Sequence, residues 1–393
     1  MAVINTPGIF IEEQSLFPPS VAETDPSVPV FIGYTEKATR EEPDDLLLQP
    51  QSVSSLLDYE QYFGRSVQGD FLLYYSMRLY FGNGGGKCFI VSMGKTPGNI
   101  SKQDFINGLE VTEKMDEPAL LLFPEAMQLP GTGLYELQQE ALAACARLRD
   151  RFCLFDLKPA TDAISHAAAV NEFRDNIGMA NLQYGAVYTP HLVINADGEE
   201  KIIPPSAAVA GIYGTTDSTR GVWKSPANVS LSSVTRLLYT ISSEEQQSLN
   251  TDTNRGLSVN VIRHFTGKGF LVWGARTLAG NDNEWRYVSV RRFFMMVEES
   301  VKKSTRWVVF EPNDAGTWVK VKAMIENYLT LKWRAGALMG AKPQEAFYVK
   351  AGLNETMTSL DILEGRLIVE IGMAAIRPAE FIILRFSHKI AVS

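Results

Sequence analysis

The chain has 393 residues, of which 45 % are hydrophobic and 21 % are charged. This composition excludes a disordered or collagen-like chain, and the length predicts two or three folded domains. No apolar run approaches the roughly 18 residues needed to cross a bilayer, and the first residues lack the basic and apolar regions of a signal peptide. We therefore expect a chain made in the cytoplasm without a signal peptide and without membrane insertion.

The net charge of −8 hides an uneven distribution along the chain. Residues 1–254 contain 17 Lys+Arg and 32 Asp+Glu, whereas residues 255–342 contain 15 and 7. An acidic part and a basic part in one chain predict two surfaces with different partners. The three cysteines, Cys88, Cys145 and Cys153, stand in apolar surroundings and are too few for a disulfide framework, so we expect reduced core residues.

The first 27 residues predict an arm rather than part of a domain, because strand-like alternation at 3–13 is followed by four prolines. Strands then alternate with helices up to residue 189, which predicts a mainly parallel sheet covered on both faces. The predicted strands are 28–34, 88–93, 119–123, 152–157 and 184–189, and the predicted helical segments are 54–63, 70–81, 102–115, 133–150 and 163–177.

The pattern changes after about residue 250. Strands are predicted at 261–262 and 270–275, helices at 289–304 and 318–334, and two closing strands at 367–376 and 380–390. The fold class expected for the whole chain is therefore α/β, mixed α+β overall.

The glycine-rich segment Gly82–Lys87 could suggest a phosphate-binding loop. Its spacing does not fit G-x-x-x-x-G-K-[ST], and it precedes a strand, whereas a phosphate loop follows one. A tight helix-to-strand turn is the better interpretation. No G-x-G-x-x-G follows a predicted strand either, so an α/β enzyme with a nucleotide-type fold remains only the alternative.

No metal, cofactor or catalytic residue is predicted. The four histidines, His166, His191, His264 and His388, are not i, i+3 or i+4 from one another, and Cys145 and Cys153 do not have zinc spacing. A Ser/His/Asp triad is not excluded by spacing, since its members can lie far apart in sequence, but there is no G-x-S-x-G elbow. Core or solvated histidines are the better interpretation.

The segment 204–228 is rich in turn formers and small residues, which predicts an extended loop packed closely against other backbone. Asp217 and Arg220 form its polar pair. A structural salt bridge between them is favoured over an active-site role, because no second catalytic group is near in sequence.

The predicted helix 318–334 has a core stripe with Lys332 beside it, and Lys320 and Arg334 project together on another face. The stripe residues are Trp318, Val321, Ile325 and Tyr328. This basic surface is too modest for nucleic-acid binding, which favours an arginine-rich groove with stacked aromatics. The two remaining interpretations of this face are a solvated surface and a contact with an acidic protein. For the chain as a whole, a scaffold protein that binds some other partner through its basic face is a third hypothesis.

Several short motifs in a fixed order resemble the contractile tail sheath family of bacteriophages, pyocins and related injection systems. They are Pro7-Gly8 through Glu12, Phe31-Ile32-Gly33, the long stretch Pro204–Asn228 (P-P-S-x-x-x-A-G…D-x-x-R-G-V-W-x-x-P-A-N), Asn260-x-Ile262-Arg263, Trp273 to Thr277, Phe310 to Asn313, Gly336 to Gly340, and Pro378 to Phe381. No single motif is specific to the family, but their occurrence in this order over nearly the whole length of the chain is highly specific.

The resemblance implies a structural, non-enzymatic subunit that forms hexameric rings stacked helically around an inner tube. Such a sheath shortens when triggered at the baseplate and drives the tube through a target envelope. The implied domains are an N-terminal linking arm (1–27), an outer α/β domain with a largely parallel sheet (28–253), an inner tube-facing α+β domain (254–376) and a C-terminal linking arm (377–393). The implied particle is a phage tail or a phage tail-like particle that can be released from the cell.

The implied partners are further copies of the chain, the inner tube, baseplate and terminator or cap proteins, and sheath paralogues, with no cofactor and no nucleic acid. The predicted inter-subunit arm residues are Ile9, Phe10, Ile11, Glu12, Phe381, Ile382, Ile383, Leu384 and Phe386, which would add strands to neighbouring sheets. The predicted contacts with an acidic tube are Lys320, Lys322 and Arg334.

Overall fold

The computed structural model describes residues 20–66, 71–95, 100–117 and 119–380. Two compact units can be distinguished within this part of the chain. The larger contains residues 23–299 and 375–380, and the smaller contains residues 20–22 and 300–374.

The larger unit contains twelve strands and eight helices within the described residues, the last helix continuing past residue 299. Its strands are β1 Pro29–Gly33, β2 Gln51–Val53, β3 Cys88–Ser92, β4 Leu120–Leu122, β5 Phe152–Asp156, β6 Gly185–Thr189, β7 Leu192–Ala196, β8 Glu199–Ile203, β9 Val229–Ser230, β10 Arg236–Leu237, β11 Asn260–Phe265 and β12 Gly269–Val272. Its helices are α1 Leu56–Phe63, α2 Leu72–Gly82, α3 Lys102–Thr112, α4 Gly133–Leu148, α5 Ala163–Asn176, α6 Ser206–Arg220, α7 Ser243–Asn250 and α8 Val288–Ser304.

The principal sheet of this unit, within the described residues, has nine strands in the order β2-β3-β1-β4-β5-β6-β11-β12-β9. Pairing is parallel from β3 through β11 and antiparallel at both ends. Every residue of β1, β4, β5 and β6 is buried, as expected for parallel strands covered by helices on both faces. The predicted fold class, a mixed α+β chain with a largely parallel sheet, is confirmed.

Helix α6 occupies residues 206–220 of the extended loop that was predicted for residues 204–228, so that prediction was wrong for this part. The predicted close packing is present, because a Cβ placed on Gly211 would lie 2.6 Å from the carbonyl oxygen of Tyr80 in α2. Small residues let the backbones of α2 and α6 approach each other, and the burial gained outweighs the weak helix propensity of glycine and threonine.

A hairpin that the sequence analysis did not identify connects β7 to β8. Its turn residues Asp197 and Gly198 both have positive φ, 55° and 90°, as a two-residue turn of type I′ requires. Strands β10, β7 and β8 form a three-stranded sheet in which the pairs are antiparallel.

The smaller unit begins within α8 and contains α9 Ala315–Arg334, α10 Pro343–Ala346, β13 Phe347–Lys350, α11 Ser359–Leu363 and β14 Glu370–Met373. Asp314 caps α9, accepting a hydrogen bond from the amide of Thr317 at 2.9 Å. The predicted stripe is confirmed at three of its four residues, since Val321, Ile325 and Tyr328 are buried, whereas Trp318 is partly buried. Strands β13 and β14 pair antiparallel as a two-stranded sheet.

The predicted arm segments cannot be placed on this fold. Ile9 to Glu12 and Phe381 to Phe386 lie outside the described residues. The predicted boundary between residues 253 and 254 refers to outer and inner layers of an assembly, and it stays a prediction. Strand β11, which follows that position, pairs with β6 in the nine-stranded sheet.

Candidate functional site: the sheet edge, the roots of the terminal segments and a basic helix face

The carboxylate of Glu125 lies at the point of the parallel sheet where the strand order reverses direction, between β1 and β4. Strand β1 lies between β3 and β4, so the crevice where such folds bind ligands falls at the carboxyl ends of β1 and β4. There Glu125 accepts hydrogen bonds from the amides of Tyr34, at 2.7 Å, and Leu73, at 3.2 Å. Leu73 is in the first turn of α2, and a helix N-terminus at this point is an anion-binding position.

Glu125 leaves little room for another group. Its side chain is buried, and a Cβ on Gly33 would lie 2.5 Å from its Oε2. Burial raises the pKa of Glu125 to about 7, although the amides of Tyr34 and Leu73 favour the charged form.

The neighbouring strand ends in a second buried carboxylate with the same task. Asp156, the last residue of β5, accepts hydrogen bonds from the amide of Ser206, at 2.8 Å, and from its hydroxyl, at 2.6 Å. Ser206 is the first residue of α6, so Asp156 satisfies an orphan amide of that helix. Burial raises the pKa of Asp156 to about 7. Two adjacent strands thus each cap one helix of the packed α2–α6 pair.

Most of the histidines and cysteines considered for a site are buried in the described residues. His166 and His191 are buried and His264 is exposed, while His388 lies outside the described residues. Burial lowers the pKa of His191 to about 3. All three cysteines are buried, which confirms their predicted place in the core. The glycine-rich segment Gly82–Lys87 contains the turn between α2 and β3, as predicted. In the described part of the chain, no group of three or more His, Cys, Asp or Glu side chains could hold a metal ion.

The segment that leads into β1 is held by a buried arginine of α8. Arg292 donates from Nη2 to the carbonyl oxygen of Pro26 at 2.7 Å. The same guanidinium forms two hydrogen bonds with Asp217, at 2.5 and 3.2 Å, and lies 4.6 Å from the ring centroid of Tyr213. A cavity of about 620 Å³ adjoins this contact, between residues 23–27 and the end of α6.

The predicted salt bridge between Asp217 and Arg220 was therefore wrong. Asp217 pairs with Arg292, which is 75 residues away, and Arg220 is exposed. The reason is that α6 is a helix rather than a loop, with Asp217 on its buried side. Burial raises the pKa of Asp217, and the attraction of Arg292 offsets part of that effect.

The segment that leaves the sheet towards the C-terminus is held by a second buried arginine. Arg276 donates to Glu380 from Nε, at 3.0 Å, and from Nη2, at 2.5 Å. Its Nη1 donates to the carbonyl oxygens of Asn250 and Gly280. An open groove of about 780 Å³ lies beside Glu380 and is bordered by Trp273.

The predicted tube contacts do not all lie on one face of α9. Lys320 and Arg334 are exposed and, at about 100° per residue, their directions differ by about 40°. Lys322 is partly buried and points about 160° away from Lys320. Leu331, which is exposed, points about 20° from Lys320, on the side away from Arg334. None of the three basic residues forms an ion pair within the described part of the chain.

The sequence analysis did not single out Glu125, Arg276, Arg292 or Glu380 as site residues. A signal was present for Arg292, which stands four residues after Val288 and four before Met296 on the apolar side of α8, where a charge must find a partner. Arg276 and Glu380 each stood inside a motif that carried the resemblance. Nothing in the sequence shows that these two motifs meet.

Two family models match the chain. The phage tail sheath protein central domain matches residues 112–278, and the phage tail sheath C-terminal domain matches residues 280–389. Together they span more than half of the chain.

The chain belongs to the phage tail sheath family.

Two solved structures contain chains that resemble this one over nearly its whole length. A chain from the six-fold symmetrised baseplate of the anti-feeding prophage (AFP) is 35 % identical with a TM-score of 0.76, covering 99 % of this chain and 100 % of that one. A chain from the PVC sheath complex of an extracellular contractile injection system, in the contracted state, is 32 % identical with a TM-score of 0.78, and the coverage is 99 % of both chains.

A curated relative matches over a shorter stretch. The tail sheath protein of Enterobacteria phage T4 is 22 % identical over 197 residues, which are 49 % of this chain and 30 % of the T4 protein. The chain thus spans less than a third of that relative's length. As a tail sheath family member, the chain is a structural protein. None of the helices in the described residues combines the length and the apolar character needed to span a bilayer.

Proposed function

We propose that this tail sheath chain polymerises as stacked hexameric rings around an inner tube and contracts to drive the tube through a target envelope. The observation that carries the proposal is the similarity over 99 % of the chain to a chain of the contracted PVC sheath complex. The six-fold symmetry of the AFP baseplate structure, which contains a similar chain, supports rings of six.

The proposed partners are other copies of the chain, an inner tube protein, and baseplate and terminator or cap proteins, with sheath paralogues as further candidates. The occurrence of a similar chain in the AFP baseplate structure supports the contact with a baseplate. For the tube, the proposed contact is the face of α9 that carries Lys320 and Arg334. Screened ion pairs there suit a contact that must release during contraction.

The terminal arms are proposed to link neighbouring subunits by strand addition. Strands β13 and β14 form a sheet of two short strands within the described residues, and such a sheet is marginal alone and has two unpaired edges. An added strand from another subunit would pair one of these edges. The smaller unit therefore offers an acceptor for an arm.

Catalytic activity is not part of the proposal. The crevice in which a nucleotide-type α/β fold binds its ligand is filled by the carboxylate of Glu125, which takes the amides of Tyr34 and Leu73 that an anionic ligand would need. Stored conformational energy, rather than nucleotide hydrolysis, then drives contraction.

Negative-stain microscopy of the purified chain, with and without its tube protein, tests the proposal. Sheath-like tubes of six-fold symmetry are expected, and a chain that stays monomeric at high concentration with tube present would contradict it. Deletion of residues 1–14, or Ile383→Pro, which removes a possible strand donor, should leave a folded monomer that forms no connected sheath. Connected, contracting sheaths from either variant would show that the arms are not the links.

A further inference from the structure

We propose that Arg276 and Arg292 anchor the two points at which the terminal arms join the larger unit. These points, called the roots of the arms, are Glu380 at the C-terminal end and Pro26 at the N-terminal end. Arg276 holds the C-terminal root through the carboxylate of Glu380, and Arg292 holds the N-terminal root through the carbonyl of Pro26. The inference rests on the proposed function in one respect, namely that the arms carry tension between subunits.

The C-terminal anchor has the geometry of a fixed contact. Nε and Nη2 of Arg276 form a fork on the carboxylate of Glu380, and the hydroxyl of Tyr287 approaches Oε2 at 3.4 Å. The side chain of Arg276 is 5 % exposed and that of Glu380 is 21 % exposed. Charge-assisted bonds of this fork type are among the stronger contacts in proteins, and partial burial shields them from salt.

The backbone of Arg276 is fixed by hydrogen bonds at both its amide and its carbonyl group. Asn260 accepts a hydrogen bond from the amide of Arg276 at 2.8 Å and donates to its carbonyl oxygen at 2.7 Å. A Cβ on Gly274 would lie 2.8 Å from Oδ1 of Asn260, so the chain needs glycine there. The backbone of Arg276 is thus fixed, and the two carbonyl oxygens that accept from Nη1 hold its guanidinium in place for a carboxylate.

The N-terminal anchor uses a different atom of the root. Pro26 presents its backbone carbonyl, so the contact does not depend on the side chain at that position. Arg292 is 2 % exposed, and Asp217 neutralises its charge. The ion pair fixes the guanidinium, and its Nη2 bridges Asp217 and Pro26. An anchor on a carbonyl holds the direction in which the chain enters the sheet.

Both anchors connect to the same sheet. Pro26 precedes β1 by three residues, and hydrogen-bonded pairing runs from β1 through β4, β5 and β6 to β11. Asn260, which clasps Arg276, is the first residue of β11. A pull on one arm would therefore reach the other through the ladders of five strands, four of them completely buried.

The first test uses the purified chain and does not depend on assembly. Arg276→Lys keeps the charge but loses the fork, and Glu380→Gln keeps the shape but loses the charge. Chymotryptic cleavage after Phe381, followed by mass spectrometry, should be about tenfold faster in both variants, as expected from losing a charge-assisted hydrogen bond. In Arg292→Lys, cleavage by Glu-C after Glu23 should accelerate in the same way.

The matched control is Glu200→Gln. Glu200 also receives a fork from an arginine, Arg236, but both side chains are about half exposed and far from either root in sequence. This variant should be cleaved like the wild type. Equal cleavage rates in Glu380→Gln and Glu200→Gln would overturn the C-terminal anchor, provided that circular dichroism shows both variants folded.

The second test uses assembled sheaths. After contraction, sheaths of Glu380→Gln and Arg292→Lys should break into short pieces more often than those of the wild type and Glu200→Gln. Sheaths that stay equally connected in all four proteins would overturn the role of the anchors under tension. If even the wild type forms no sheath, the proposed function fails, whereas the cleavage result still decides whether the roots are anchored.

Discussion

Arg292 and Asp217 form a two-point ion pair in which the side chains are 2 % and 5 % exposed, and this pair joins α8 to α6. Arg276 is another buried arginine of the basic stretch 255–342, and it too is paired. Part of the positive charge counted in the sequence is therefore internal. The surface of this stretch is less basic than the net charge indicates.

Removing one partner of this buried pair should lower the stability of the chain far more than removing one partner of an exposed pair. We expect Arg292→Ala to lower the free energy of unfolding by about 3–5 kcal/mol, because Asp217 would remain buried without a counter-charge. Urea unfolding of the purified chain measures this. Arg236→Ala, which breaks the exposed pair with Glu200, should leave the urea midpoint almost unchanged. Equal effects of the two substitutions would contradict the structural role of the buried pair.

Two glycines of α6 should respond to alanine in opposite directions. At Gly211 a Cβ would lie 2.6 Å from the carbonyl oxygen of Tyr80, so Gly211→Ala should destabilise by about 1–3 kcal/mol through overpacking. At Gly214 the nearest atom outside α6, the carbonyl oxygen of Gly84, would lie 4.0 Å from such a Cβ, so Gly214→Ala should stabilise by up to about 1 kcal/mol through helix propensity. Thermal unfolding of both variants gives the comparison, and a stabilised Gly211→Ala would disprove the close approach of α2 and α6.

The two buried carboxylates should make stability fall as pH rises. The pKa values of Glu125 and Asp156 are raised from 4.5 and 3.8 to about 7, so between these limits the folded chain binds protons that the unfolded chain has released. The stabilisation is complete below about pH 4 and is lost as pH rises through about 7, at up to about 1.4 kcal/mol per pH unit for each group. Asp156→Asn should flatten the slope of unfolding free energy against pH.

His191 acts in the opposite sense, which is why the variants are needed. Burial lowers its pKa from 6.5 to about 3, so its contribution is present above about pH 6.5 and is lost as pH falls through the interval down to about 3. The dependence of wild-type stability on pH therefore combines two opposing contributions, that of the two carboxylates and that of His191. If Glu125→Gln and Asp156→Asn both keep the wild-type slope between about pH 5 and pH 8, the carboxylates do not titrate in that range.

Reversing the charges on one face of α9 should impair sheath growth on the tube. We expect Lys320→Glu with Arg334→Glu to reduce the number of sheathed tubes about fivefold or more, as the loss of two screened ion pairs implies, while the chain stays folded. Lys322→Glu, on the other side of the helix, is the matched control. Counting sheathed tubes by microscopy decides the matter. Unimpaired growth of the double variant, or equal impairment by Lys322→Glu, would rule out this face as the contact.

The sheet was predictable because its strands are short apolar runs separated by amphipathic helices. The parallel strands β1, β3, β4, β5 and β6 all fall within predicted strands, and α2 to α5 match their predicted positions closely. Periodicity reports burial on one or both faces, and here burial and secondary structure agree.

Helix α6 and the β7–β8 hairpin were missed for different reasons. The hairpin had a local signal, since Asp197-Gly198 stands between two strand-like runs. Helix α6 had none, because its glycines and threonines favour a loop until α2 packs against them. The Arg292–Asp217 and Arg276–Glu380 pairs depend on positions 75 and 104 residues apart, which only the tertiary fold brings together.

The carboxylate of Glu125 makes the joint between β1 and α2 independent of dissolved anions. A crevice that binds a soluble anion is occupied only as far as the surrounding medium supplies that anion, and the joint between β1 and α2 would loosen on dilution. Here the occupant is part of the chain, so its local concentration does not change when the protein leaves the cell. Dilution therefore does not loosen this joint, which suits the proposed release of the chain from the cell in a tail-like particle.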